Sequence, residues 1–174
     1  MSQTIINIKP QPLTAEKFAA YGDVISVSDS TEYFAINDGH TMRYHNLANI
    51  DVADQQGRAI VNIFRSTPLT FPLPIEMMER HPLGSQAFIP LGKEPYLVVV
   101  AAKGALDTSN IEVFLATAEQ GVNYHKGTWH HFCLALKQVS DFLVIDRGGE
   151  GDNCDVEKLD GSLVINLDDS SLQQ

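Results

Sequence analysis

Short runs of β-branched and aromatic residues, interrupted by Gly, Pro or Asn, leave this chain little to do but pair strands. The runs are "TMRYHNL", "RAIVNIFRS", "PIEMMERH", "SQAFIPL", "YLVVVAAK", "NIEVFLAT", "TWHHFCLALK", "SDFLVIDRGG" and "GSLVINL". Their spacing of about ten residues favours a sandwich or closed barrel over a sheet alternating with helices. A helical signature stands out only near the start. In "PLTAEKFAAYGDVI", Thr14 is placed to cap a short helix, Phe18 and Tyr21 to share a face, and Gly22 to end it. The expectation is an all-β fold with one short N-terminal helix, in a single domain over 1–174. "GGEGDNCDVEKLDG" reads as a polar connection and the terminal "DDSSLQQ" as a frayed tail.

Alternation along each strand then sorts the polar residues, because residues two apart share a face. In "IEMMERH", Glu79 and His81 fall with Ile75 and Met77, while Glu76 and Arg80 take the other side. A carboxylate on an apolar face is costly unless paired, so an inward Glu79 is informative. In "SQAFIP", Gln86 aligns with Phe88. In "TWHHFCLAL", His130 aligns with Phe132, Leu134 and Leu136, whereas His131 lies with Trp129, Cys133 and Ala135. Glu79, His81, Gln86 and His130 are therefore candidates for one barrel interior. Each also has a plain structural reading: a core imidazole, a glutamate paired with an arginine, a glutamine bonded to backbone. The Trp129 side of its strand needs cover, from another sheet or from a second copy of the chain.

The net charge of -10 speaks against the phosphate attraction on which nucleic-acid binders rely. An anionic small molecule is still accommodated, since a pocket needs only one or two local cations. Cys133 and Cys154 have no CxxC spacing, so neither a disulfide framework nor a cysteine zinc site is indicated, and a cytoplasmic protein is expected. No apolar run is long enough for a membrane helix; the longest is "YLVVVAA".

Two segments resemble the paired motifs of cupins: "ERHPLGSQ" has the spacing of the first and "HKGTWH" that of the second. The resemblance implies a cupin-like double-stranded β-helix, a jelly-roll barrel with these residues at one mouth. Glu79 stands where the first motif has a histidine, Gln86 where it has a glutamate, and His125 where the second has a proline. A wider resemblance runs from about Phe18 to Glu157: "AYGDVI", "RYHNLA", "ERHPLGSQAFIPL", "EQGVNYHKGTWHHFCLAL" and "DFLVIDRGGEGDNCDVE" are similar to the ureidoglycolate lyases. It implies a homodimeric cytoplasmic enzyme that splits (S)-ureidoglycolate into glyoxylate and urea. It also suggests a divalent metal, nickel, and no organic cofactor.

That substrate carries a carboxylate, a hydroxyl and a urea nitrogen on one carbon. Its elimination needs a base for the hydroxyl proton, an acid for the departing nitrogen and a partner for the carboxylate. Histidine suits the proton transfers, because its ordinary pKa lies close to working pH. His81 and His130 are the expected acid–base pair, with Gln86 orienting the substrate. Alternatively Glu79, His81, Gln86 and His130 form a metal ligand set. Tyr124 and His125, just before Gly127, are placed to reach over the mouth. A guanidinium matches a carboxylate bidentately, which makes Arg65 and Arg147, each near a strand end, and then Arg43 the expected clamps. Other readings are an amidohydrolase on the same substrate, a metal-dependent cupin enzyme of another class, and a non-catalytic module that binds a small acid.

Overall fold

The computed structural model describes residues 4–28 and 30–168. Most of the predicted tail after Asp168 lies outside them. The fold is all-β, as expected, with one α-helix of four residues, Ala15–Phe18, among the described residues. Thr14 caps it by accepting from the Lys17 amide, and Phe18 is fully buried beside Tyr21 at 5.9 Å between ring centroids. Gly22 does not end this helix. It opens a strand instead, at a site where an added Cβ would stand 2.0 Å from the Asn123 carbonyl oxygen. Only glycine lets the two backbones approach that closely.

Two sheets face each other as a jelly-roll-like barrel. One runs in the order Gly22–Ile25, Gly121–Tyr124, Gln86–Pro90, Ser140–Gly148, Arg58–Ser66. The other runs Asp155–Lys158, Met77–Arg80, Trp129–His130, Tyr96–Ala101, Glu112–Ala116, Gln11–Pro12. All six residues of Tyr96–Ala101 are buried, because both faces of that strand are covered. Tyr96, Val98 and Val100 point into the barrel with Phe88, Phe114, Val122, Tyr124, Phe142 and Val144. Leu97, Val99 and Ala101 point outward, into a second core with Ile75, Met78 and Trp129. A small sheet of Ile6–Ile8, Leu163–Ile165 and Leu73–Pro74 supplies Leu163 and Ile165 to that second core. The Trp129 side is thus covered by a sheet of its own chain. Asp155–Lys158, read from sequence as loop, is a strand paired with Met77–Arg80.

Alternation fails at two places. Ile75, expected on the face of Glu79, lies before the Met77–Arg80 strand and packs into the outer core with Met78. The second break is in the His130 strand. Val100 pairs with His130 and Leu97 with Leu134, so three steps along one strand are met by four along its partner. The extra residue is a β-bulge, and it exchanges inside for outside downstream. His130 therefore does not share a face with Leu134 and Leu136, which belong to the outer core, while Cys133 packs against the inner one. Phe132, expected beside His130, is largely exposed.

Candidate active site

His130 is paired to the central strand opposite Val100 and to Met77–Arg80 opposite Glu79, which sets a histidine and a glutamate side by side. Residues facing each other across a strand pair lie on one side of the sheet. His81 follows directly after Met77–Arg80 and turns its ring to 5.1 Å from that of His130. One His130 ring nitrogen, Nε2, lies 3.6 Å from a Glu79 carboxylate oxygen. Glu79, His81 and His130 each offer one ligand atom, and these atoms all lie within 4.8 Å of one another.

The tautomers follow from the backbone. His130 Nδ1 faces the Thr128 carbonyl at 3.0 Å, and His81 Nδ1 faces the Asn153 carbonyl at 2.6 Å. A ring nitrogen against a carbonyl oxygen has to carry the hydrogen, so in the neutral ring the other nitrogen presents a bare lone pair. Both Nε2 atoms are buried without a hydrogen-bond partner. Burial, aided by His81 and opposed by the Thr128 carbonyl, pushes the His130 pKa down to about 3, so this ring is neutral at physiological pH. Burial also raises the pKa of the half-buried Glu79, against a smaller pull from His81. Two imidazole nitrogens and a carboxylate turned toward one another suit a cation among them. An imidazole whose far N–H is held by a carbonyl is the usual arrangement of a metal-ligating histidine.

Tyr124 closes one side of His130, its ring stacked on the imidazole at 4.3 Å and 8°. Gln86 pairs with Tyr124 across the strands and is buried. Its Nε2 donates to Asp146 at 3.2 Å, and Asp146 also accepts from Asn62 Nδ2 at 3.0 Å. Asp146, Asn62 and Asn153 were not among the residues selected from sequence. For Asp146 the signal existed: it alternates with the inward Phe142 and Val144. Asn153 had none, since its place over His81 depends on how a long loop returns. The His125–Thr128 turn is fastened to the site from outside. Gly127, at φ 82°, donates its amide to the His81 carbonyl at 2.9 Å.

The other expected residues lie elsewhere. His125 follows Tyr124 and points to the opposite side of the sheet, where its Nε2 donates to Asp23 at 3.1 Å. Arg147, with the outward parity of Leu143 and Ile145, is buried and binds main chain. Its Nε and Nη2 donate to the Asp54 carbonyl at 3.0 and 2.8 Å, and Nη2 also to the Glu150 carbonyl at 2.8 Å. The expected clamp is a staple holding the 54–57 segment to the 149–151 loop. Arg65 pairs with Asp141 at 2.8 Å and is 72% exposed. It lies five residues, roughly 17 Å, along the strand pair from Asp146. Arg43 lies over the Phe34 ring at 5.6 Å, in the separate hairpin of Tyr33–Ile36 and Thr41–Tyr44. Arg80 pairs with Asp155 and stacks on Trp129.

A cleft of about 270 Å³ lined by Pro10, Pro12, Leu13, Pro95, Leu115, Ala116, Thr117 and Gln120 lies toward the Tyr96 end of the barrel. It holds no ionisable side chain.

Comparison with known proteins gives a consistent answer. Residues 5–166 match the family model described as Ureidoglycolate lyase. A protein named ureidoglycolate lyase from Burkholderia mallei (strain NCTC 10229) is 53% identical over 158 residues, covering 91% of this chain and 92% of that one. One of the same name from Pseudomonas syringae pv. syringae (strain B728a) is 48% identical over 164 residues, covering 94% and 96%. Among solved structures, the dTDP-6-deoxy-D-glucose-3,5-epimerase RmlC of Legionella pneumophila aligns with a TM-score of 0.40 and 12% identity over 74% of this chain and 73% of its own. That likeness is too loose to bear on function.

Proposed function

The chain belongs to the ureidoglycolate lyase family and is a lyase acting on ureidoglycolate, and we propose that Glu79, His81, Gln86 and His130 carry the reaction. The observation that supports this most is the pair of imidazoles whose Nε2 atoms are buried and unpartnered beside a carboxylate. The products are glyoxylate and urea, released from the (S) substrate.

This donor set fits a divalent cation. Nitrogen and carboxylate donors suit nickel among the first-row metals, in line with the family likeness. When bound, the ion would supply positive charge to hold the substrate carboxylate and make the hydroxyl more acidic. That role suits a mouth from which Arg65 and Arg147 are directed away. The chain does the rest. The Thr128 and Asn153 carbonyls fix both imidazoles as Nδ1–H tautomers, and Tyr124 confines the His130 ring to its own plane. In the elimination the hydroxyl loses its proton as the carbonyl forms. The C–N electron pair passes to the ureido nitrogen, which gains a proton and leaves as urea.

The deciding experiment measures urea, ammonia and glyoxylate released from (S)-ureidoglycolate by chelator-treated protein, with and without nickel. Urea matching glyoxylate, restored by nickel, is the expected result. Full turnover after chelation would make the same groups a metal-free acid–base set, with His81 or His130 Nε2 taking the hydroxyl proton. Ammonia in place of urea would make the protein an amidohydrolase.

We also propose a homodimer. Val61 and Ile63 are 66% and 56% exposed on the outer side of the Arg58–Ser66 edge strand, an apolar surface that suits a second copy. Sedimentation of the double variant Val61→Asp/Ile63→Asp should give a monomer. A cytoplasmic location is in keeping with Cys133 and Cys154, which are both free thiols.

A further inference from the structure

The Gln86 amide carries an instruction that comes from outside the histidine cluster. Asp146 shares the inward face of its strand with Phe142 and Val144, and Asn62 stands opposite Val144. The next strand brings Gln86 alongside, and Gln86 pairs with Tyr124, the residue stacked on His130. Asn62, Asp146, Gln86, Tyr124 and His130 thus form a continuous inward row.

An ionised carboxylate only accepts hydrogen bonds, so it decides which end of each neighbouring amide turns toward it. Asp146 accepts Asn62 Nδ2 on one oxygen and Gln86 Nε2 on the other. The Gln86 amide has no freedom left to flip. Its carbonyl oxygen Oε1 must face away from Asp146, and there it is buried without a hydrogen-bond partner. A side chain 5% exposed with an unmatched acceptor destabilises the fold unless something else supplies the donor.

We infer that Asp146, steadied by Asn62, is a positioning residue that locks Gln86 with Oε1 as the acceptor for an N–H of the ureido group. The inference rests on the ureidoglycolate reading and deepens it. That substrate offers two kinds of donor, the carbinol O–H, whose proton is lost as the carbonyl forms, and the ureido N–H groups, which stay with the urea that leaves. An acceptor fixed in this way binds the leaving group by the hydrogens it keeps as urea, and it rejects analogues that put an ester oxygen or a carboxylate there.

The test compares wild type with Asp146→Asn, whose amide no longer dictates the Gln86 orientation, and Gln86→Met, which removes the acceptor at similar volume. Far-UV circular dichroism checks each fold, and either variant alone suffices. The readouts are KM and kcat for ureidoglycolate, inhibition constants for urea and for glyoxylate, and nickel affinity by calorimetry. Expected is a rise of roughly ten- to hundredfold in the urea inhibition constant and in KM, with the glyoxylate constant and nickel affinity within about twofold. Nickel affinity falling together with activity would make Oε1 a ligand of the ion and overturn the inference. So would unchanged urea inhibition. Wild-type protein that releases no urea overturns the underlying reading and this inference with it; wild-type turnover beside unaltered variants overturns the inference alone.

Discussion

Tyr124 and His125 are neighbours in sequence and stand on opposite sides of one sheet, each at the centre of a polar group. On the outer side His125 meets Asp23, which also accepts from Asn123 Nδ2 at 2.9 Å and from the Asn49 amide at 3.3 Å. On the inner side Tyr124 stacks on His130, whose Nε2 is 3.6 Å from Glu79 and has no hydrogen-bond partner. Both groups contain an imidazole and a carboxylate. Outside, the imidazole N–H meets its carboxylate; inside, the Nε2 atoms of His81 and His130 have no hydrogen-bond partner and lie close to the Glu79 carboxylate. A matched imidazole–carboxylate pair stabilises a fold; imidazole nitrogens gathered beside a carboxylate suit a cation.

Substitution should separate the two sides sharply. His81→Ala and His130→Ala are expected to lower kcat/KM by roughly 100- to 10,000-fold and to abolish stoichiometric nickel binding. Steady-state kinetics and calorimetry check this, and wild-type turnover in either variant would erase the contrast. Next in size is Arg147→Met, which frees the carbonyls of Asp54 and Glu150 and should cost about 2–4 kcal/mol in urea denaturation. Its KM should stay near wild type; a tenfold rise would return Arg147 to the substrate. His125→Ala should cost about 1 kcal/mol of stability, since the pair is only partly buried, and change turnover by less than twofold. A large kinetic loss there would put the outer group into the reaction. The smallest effect is expected from Arg65→Ala, which removes an exposed ion pair and should leave both the melting temperature and KM unmoved.

Much of this could be read from the chain because strand alternation is a local property. The Arg58–Ser66 run appears in the structure with the ends the sequence suggests, and Glu79 stands opposite His130, although Ile75, expected on its face, packs into the outer core. What alternation cannot carry is an interruption. Between His130 and Leu134 the count slips by one, so Cys133 and Leu134 lie on the sides opposite to those expected. Asp146 is legible by the same rule, as the third member of Phe142, Val144, Asp146. Arg147 looks like a rim cation from sequence, because nothing local tells that the 54–57 segment folds over it. The Asn153 carbonyl over His81 belongs to the same class, a contact between positions 72 residues apart.

The extra residue between His130 and Leu134 has a consequence for how this protein tolerates change. At those positions the chain can lose one residue and keep both cores. Deletion would leave three steps facing three, so Leu134 would stay opposite Leu97 on the outer side and Cys133 on the inner, and only the local bend would be lost. The same deletion around Gly151 would be felt at the site, because the Glu150 carbonyl is bound by Arg147 and the Asn153 carbonyl stands against His81. An engineer trimming this scaffold should look for slack in the three residues after His130 and leave the length of the 149–153 loop alone.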